Sequence, residues 1–204
     1  MKPSLNITPP GGFSRSLWRR SSDPRFLSRF FIGDGIDIGG DSDPLLAASE
    51  FFPLLKSVYT WGLEDGDALL MNGVPEKNFD FVFSSHCLEH LTDPCSAINT
   101  WSKLLKTNGH LIIELPLWEL YEKQVWPSKF NFDHKFAFTL DNSYNEYPKH
   151  LLNILDLINF IEVPYELIKI EKLDHLYPYK SNWSFDNCLL PYVHSSVELI
   201  LKIK

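Results

Sequence analysis

The chain lacks what several protein classes need. Its three cysteines, Cys87, Cys95 and Cys188, form no CxxC pair and no even-numbered framework. That excludes a disulfide-stapled domain and points to packed thiols in a reducing compartment. No apolar run reaches the length of a membrane span, and the first residues carry no signal-peptide core, so a cytoplasmic protein without a membrane partner is expected. Positive charge is scarce: 19 Lys+Arg against 26 Asp+Glu leave a net charge of -7. This argues against nucleic acid as the main partner, and Arg15, Arg19 and Arg20 read as a solvated helix face. Internal repeats and low-complexity tracts are also missing.

What is present is an ordinary globular composition, 44% hydrophobic over 204 residues, enough for a full core. Asp23-Pro24, Asp43-Pro44 and Asp93-Pro94 each place an N-cap acceptor before a proline suited to the first helical position. The first predicts a helix from Pro24 to Ile32, ended by Gly33. After Asp93, the residues Ala97, Ile98, Trp101, Leu104 and Leu105 recur on one helical face. Strands are predicted at Gly35–Ile38, Ser57–Trp61, Ala68–Met71, Phe79–Ser84 and His110–Leu115. The last two are continuous apolar runs, as in parallel strands buried on both faces. A long aromatic loop, Pro116–Pro148, precedes a helix over Pro148–Phe160 and strands at Tyr165–Leu173 and Ser195–Ile203. The final strand alternates, with Val197, Leu199, Leu201 and Ile203 on one side and Ser196, Glu198 and Lys202 on a wet side.

The fold class expected is therefore α/β: a Rossmann-like, doubly wound, mostly parallel sheet with an antiparallel C-terminal strand and an N-terminal helical segment. One domain over 1–204 divides into that segment (1–33), a cofactor-binding half (34–116) and a substrate-side loop, helix and strands (117–204). Ligands of such sheets lie at the carboxyl ends of the strands.

The loop after the first strand carries the first chemistry. Gly33-Asp34-Gly35 precedes its strand, so it is no dinucleotide fingerprint, and no Walker-type phosphate loop occurs. Gly39-Gly40-Asp41 does follow the strand. Its backbone can approach a ligand, and the acids around it suit positive charge and hydroxyls rather than a pyrophosphate. The second region is Ser84-Ser85-His86-Cys87-Leu88-Glu89-His90, which contains the H-x-x-E-H spelling of some zinc peptidases. That chemistry needs both histidines on a long helix and a third ligand downstream. A strand before it and a helix start at Asp93 leave no room for such a helix, so no metal is expected and His90 reads as a buried histidine pinning the crossover.

The motifs together resemble those of the class I S-adenosylmethionine-dependent methyltransferases, in particular the type 11 group. Asp37-Ile38-Gly39-Gly40-Asp41-Ser42-Asp43 is similar to the first motif, with Asp41 and Asp43 where its second and third glycines stand. Gly66-Asp67-Ala68 is similar to the adenine-contacting segment. Phe79 to His90 resembles the fourth-strand signature, and Leu104 to Ile113 the passage into the fifth strand. The resemblance implies S-adenosyl-L-methionine as cofactor and a small-molecule acceptor at oxygen or nitrogen. It implies that Gly39 and Gly40 present backbone, that Asp37 anchors donors or the amino group, and that Asp41 is in the cofactor loop. Glu64 becomes the nearest carboxylate for the ribose diol, because Trp61-Gly62 stands where the usual acid would be. Asp67 and Ala68 would meet adenine, with Trp61 either its wall or core, and Ser84 and Ser85 would border the methyl donor. His86 would orient the acceptor or take its proton, or else only touch cofactor. Glu114, Tyr121, Asn131 and His134 are the other candidates on the substrate side. The altered loop also fits a cofactor-binding protein without turnover; a nicotinamide or nucleotide-sugar enzyme fits less well.

Overall fold

Apolar segments from one end of the chain to the other converge on one sheet. The computed structural model describes residues 12–144, 146–180, 186, 190 and 192–204; Cys188 lies outside them. Strands β1 (Gly33–Ile38), β2 (Leu55–Trp61), β3 (Phe79–Ser85), β4 (Leu105–Pro116), β7 (Tyr165–Leu173) and β8 (Ser196–Ile203) form a sheet in the order β2-β1-β3-β4-β8-β7. The first four pair in parallel, and β8 runs antiparallel to both β4 and β7. The switch between β1 and its two neighbours opens a crevice at the carboxyl ends of β1, β2 and β3.

Helix α2 (Pro94–Lys103) starts as its sequence dictates, Asp93 accepting from the Ser96 N–H at 3.0 Å. Its inner face buries Ala97, Ile98 and Trp101 against the sheet. The opposite face of the sheet carries Phe26, Phe30, Phe31 and Phe52 packed around Phe81 and Phe83. There the segment after Pro24 is a short helical turn over Phe26–Phe30 rather than a full helix.

Further expectations are corrected. Ala68–Met71 is a turn, because the N–H groups of Leu70 and Met71 both donate to the Asp67 carbonyl. Pro148–Phe160 divides. Leu151–Asn153 (β6) pairs in parallel with Ala137–Thr139 (β5), and the Asn153 side chain then caps a short helix α3 (Ile154–Ile158). Finally, the polar side of β8 is buried at Ser196 and Glu198, with Lys202 half-buried. Helix α1 (Gly12–Ser22) lies over it, and Arg19, Arg20 and Lys169 all reach Glu198. The arginines read as a solvated face are instead buried at Arg15 and Arg20, the second with no exposure at all.

Asp43 also acts elsewhere than expected. It accepts from the Ser14 N–H at 2.7 Å and from the Ser14 hydroxyl, so it caps α1 rather than the turn that follows it. Among the described residues, no helix is long and apolar enough to cross a membrane.

Candidate functional site

A cavity of about 650 Å³ occupies the crevice at the ends of β1, β2 and β3. Of the residues expected to hold cofactor, Gly39, Asp41, Trp61, Asp67 and Ala68 line it, and so does His86. A smaller cavity of about 120 Å³ adjoins it, bounded by Phe13, Asp37, Gly40, Ser85 and, again, Gly39 and His86.

The loop after β1 is built around its glycines. Gly39 has φ +84°, and a Cβ there would lie 2.6 Å from the Cβ of Cys87, so the backbone lies directly against the crossover after β3. Asp41 then reaches across to β2. Its Oδ2 accepts from the Leu63 N–H at 2.8 Å, and its Oδ1 stands 1.6 Å from where a Cβ on Gly62 would be. The carboxylate absent from the end of β2 is thus supplied from the end of β1. Glu64 is exposed and does not line the cavity. Further along, Asp67 accepts from the Leu69 N–H through Oδ1 at 2.8 Å, and Trp61 donates its indole N–H to the Gly66 carbonyl at 3.3 Å. Trp61 is both core and wall.

Asp37 lies beneath this loop. Its Oδ2 accepts from the Leu45 N–H at 2.7 Å, and a Cβ on Gly40 would meet that oxygen at 2.4 Å. Burial raises its carboxyl from 3.8 to about 7. Between those values the native chain keeps a proton that the unfolded chain has released. Stability from this group is therefore full below about pH 4 and is lost as pH rises through about 7, an effect on the order of 2–4 kcal/mol. Asp37→Asn is expected to raise stability at about pH 8 and to flatten the pH dependence of Tm between about pH 5 and pH 8. Parallel pH profiles for the two proteins would refute this assignment.

His86 follows β3 with φ +54°, an uncommon conformation for a side-chain-bearing residue. Its N–H donates to the Glu114 carbonyl at 3.0 Å. Its ring lies between carboxylates, Nδ1 3.5 Å from Glu89 and Nε2 3.8 Å from Glu114, with Arg15 3.4 Å from Nε2. Burial opposes the charged ring, but the Glu114 and Glu89 carboxylates outweigh it and raise the pKa. Burial also pushes the Cys87 thiol up to about 12, so it stays protonated and inert.

The other candidates divide. Ser84 donates to the Ile38 carbonyl at 2.9 Å and is a strut inside the sheet. Glu114 is buried behind His86, accepting from Ser16 and Ser196 and pairing with Arg20, so it anchors α1 and does not line the cavity. Tyr121 is buried against Phe130 and His134. Asn131 accepts from the Asp133 N–H, shaping a turn that presents Asp133 to the cavity and His134 to the interior. The polar run Asn131–Lys135 reads as substrate-facing in the sequence, which singles out Asn131 and His134; the residues of the run that line the cavity are instead Asp133 and Lys135.

Residues 25–144 match a family model described as a methyltransferase domain. The chain belongs to this methyltransferase family. Its cofactor is S-adenosyl-L-methionine. No protein of curated function matches the chain. Among solved structures, a SAM-dependent methyltransferase from Archaeoglobus fulgidus is 16% identical with a TM-score of 0.55, covering 93% of this chain and 94% of that one. An S-adenosylmethionine-dependent methyltransferase from Clostridium acetobutylicum is 10% identical with a TM-score of 0.56, covering 97% and 93%. The small RNA methyltransferase HEN1 is 14% identical with a TM-score of 0.60, but only 25% of that chain is covered. At these identities the likeness establishes the shared fold.

The methyltransferase's own residues fit the cofactor. The cavity has the volume of a small-molecule site. Three carboxylates, Asp41, Asp67 and Asp133, line it, and Asp41 and Asp67 beside the end of β2 suit the hydroxyls, amino groups and positive charge of S-adenosylmethionine. Trp61, Ala68 and Leu91 supply apolar walls for a purine.

Proposed function

We propose that this methyltransferase transfers a methyl group to a small-molecule acceptor at oxygen or nitrogen, and that His86 stands at the point of transfer. The observation that carries this reading is the position of His86: it bounds both the large cavity and the smaller one beside it. When bound, the cofactor supplies an electrophilic methyl carbon on a sulfonium, and loss of that methyl leaves a neutral thioether. Asp41 and Asp67 would hold the nucleoside, with the Gly39–Gly40 backbone beside the amino-acid end. His86, fixed by Glu89, Glu114 and Arg15, would orient the acceptor. In-line displacement is accelerated mainly by holding donor and acceptor in line, so orientation carries most of the effect. The acidic surface favours a small acceptor over RNA or DNA.

Calorimetry with S-adenosylmethionine and its demethylated product tests the reading, followed by turnover on a panel of hydroxyl and amine acceptors. Micromolar binding and product formation are expected. Absence of binding at millimolar concentration would overturn the reading, and binding without turnover would favour a non-catalytic cofactor-binding protein. His86→Ala is expected to lower kcat roughly 100-fold, as a misplaced reactant does, while affinity for the demethylated product stays within about threefold, a difference below 1 kcal/mol. Normal kcat in that variant would remove His86 from the reaction.

A further inference from the structure

The H-x-x-E-H spelling lies on no long helix, as expected: Leu88–His90 is a single turn. The aromatic loop nevertheless brings His134 to the last two residues of that spelling, Glu89 and His90, to make a different set that leaves His86 out. One ligand atom from each of Glu89, His90 and His134 lies within 4.8 Å of the others. A first-row divalent ion bound at about 2.1 Å needs ligands about 3–3.4 Å apart, so side-chain movements of about 1 Å would close the set.

Two features mark this as more than a buried polar cluster. Glu89 has no exposure, yet neither of its carboxylate oxygens accepts a hydrogen bond; one of them has His86 Nδ1 at 3.5 Å and His134 Nε2 at 3.9 Å, contacts longer than a hydrogen bond that shares a proton well. A buried carboxylate is costly without a partner, and structural clusters normally satisfy both oxygens. Each histidine, in turn, is held through one ring nitrogen by a second carboxylate: His134 Nδ1 lies 2.6 Å from Glu122, and His90 Nδ1 lies 3.0 Å from Asp133. That is the outer-shell arrangement that orients metal-binding imidazoles, leaving the other nitrogen of each ring for an ion. Glu89, Glu122 and Asp133 also gather three carboxylates around the two imidazoles, a charge that a dication would offset.

We propose that Glu89, His90 and His134 form a divalent-cation site in the wall of the cofactor cavity, where the ion takes up an oxygen of the acceptor. Two imidazoles and one carboxylate suit zinc, manganese, cobalt or ferrous iron better than magnesium or calcium. Three protein ligands leave coordination positions open. His90 and Asp133 line the cavity alongside His86, so those positions are within reach of an acceptor there. An ion so placed would fix an acceptor hydroxyl and make it more acidic. The acceptor clause rests on the methyltransferase reading; the ion site does not.

The test uses the full chain after chelation, titrated with Co²⁺ alone and followed by visible absorption. The expected result is one Co²⁺ per chain with a d–d spectrum, and affinity at least about tenfold weaker in Glu89→Gln and in Glu122→Gln. His90→Ala, at a partly exposed position, gives the same comparison should a buried replacement fail to fold. Absence of stoichiometric binding at millimolar Co²⁺, or binding unchanged in the folded ligand variants, would overturn the site. Calorimetry with the demethylated cofactor separates the two readings: cofactor binding without cobalt binding sinks only the ion site, and cobalt binding without cofactor binding sinks only the methyltransferase reading.

Discussion

Arg20→Met is expected to lower the free energy of unfolding by about 3–5 kcal/mol, the cost of removing one partner from a buried ion pair. The Arg20 guanidinium has no exposure and lies 2.5 Å from Glu114 and 3.4 Å from Glu198. It also stacks over Phe83, its carbon 4.8 Å from the ring centroid. Glu198 would keep Arg19 and Lys169. Glu114 would keep only hydroxyl donors and neighbours at ion-pair distance, the nearest being Arg19 at 3.5 Å. Both carboxyls are buried, and despite that burial the charge of Arg20 brings each below its usual pKa, Glu114 well below. Their stabilisation is present above the ordinary carboxylate range and is lost as pH falls through the lowered values. Chemical denaturation should show a lower midpoint at unchanged slope. Arg20→Met combined with Glu114→Gln should recover part of the loss, since the orphaned charge goes with its partner. A loss below about 1 kcal/mol would place the anchor of α1 elsewhere.

That network also marks the limit of what the sequence made legible. Local chemistry carried over well. The apolar runs at Phe79 and His110 became central parallel strands, Asp93-Pro94 opened its helix, and Gly39 took the left-handed turn its strand exit required. Readings that depended on a distant partner did not carry over. Glu198 alternates like a solvent-facing residue, and only the arrival of Arg19 and Arg20 from a helix about 180 positions earlier makes it core. Pro148–Phe160 has a helical pattern, yet Leu151–Asn153 finds a strand partner at Ala137–Thr139. His134 read as a substrate residue because its loop is polar. The fold instead turns it inward onto Glu89 and Glu122, a meeting no local spacing announces.

The same kind of exchange underlies the largest effect expected on cofactor binding. Asp41→Ala should weaken binding of the demethylated cofactor roughly 10- to 100-fold, the range for losing charge-assisted hydrogen bonds to a ligand. Asp41 belongs to the loop after β1, but its carboxylate sits at the end of β2, accepting from the Leu63 N–H. Gly62 leaves that space open, and its backbone is not in the left-handed region, so a side chain there meets no conformational barrier of its own. What a side chain on residue 62 would meet is the Asp41 carboxylate, 1.6 Å from its Cβ. The two positions are therefore interchangeable sources of one carboxylate. Gly62→Ala alone should displace Asp41 and weaken binding, whereas Asp41→Gly combined with Gly62→Asp should restore it to within about fivefold of the original, a deficit under 1 kcal/mol. Glu64→Ala, outside the cavity, should leave the affinity where it was. Calorimetry decides: undiminished binding in Asp41→Ala, or a double variant no better than its single parents, would show that the nucleoside is not held at this strand end. If the exchange succeeds, the acid-rich loop after β1 is a relocated ribose contact, and it ceases to be a reason for expecting lost activity.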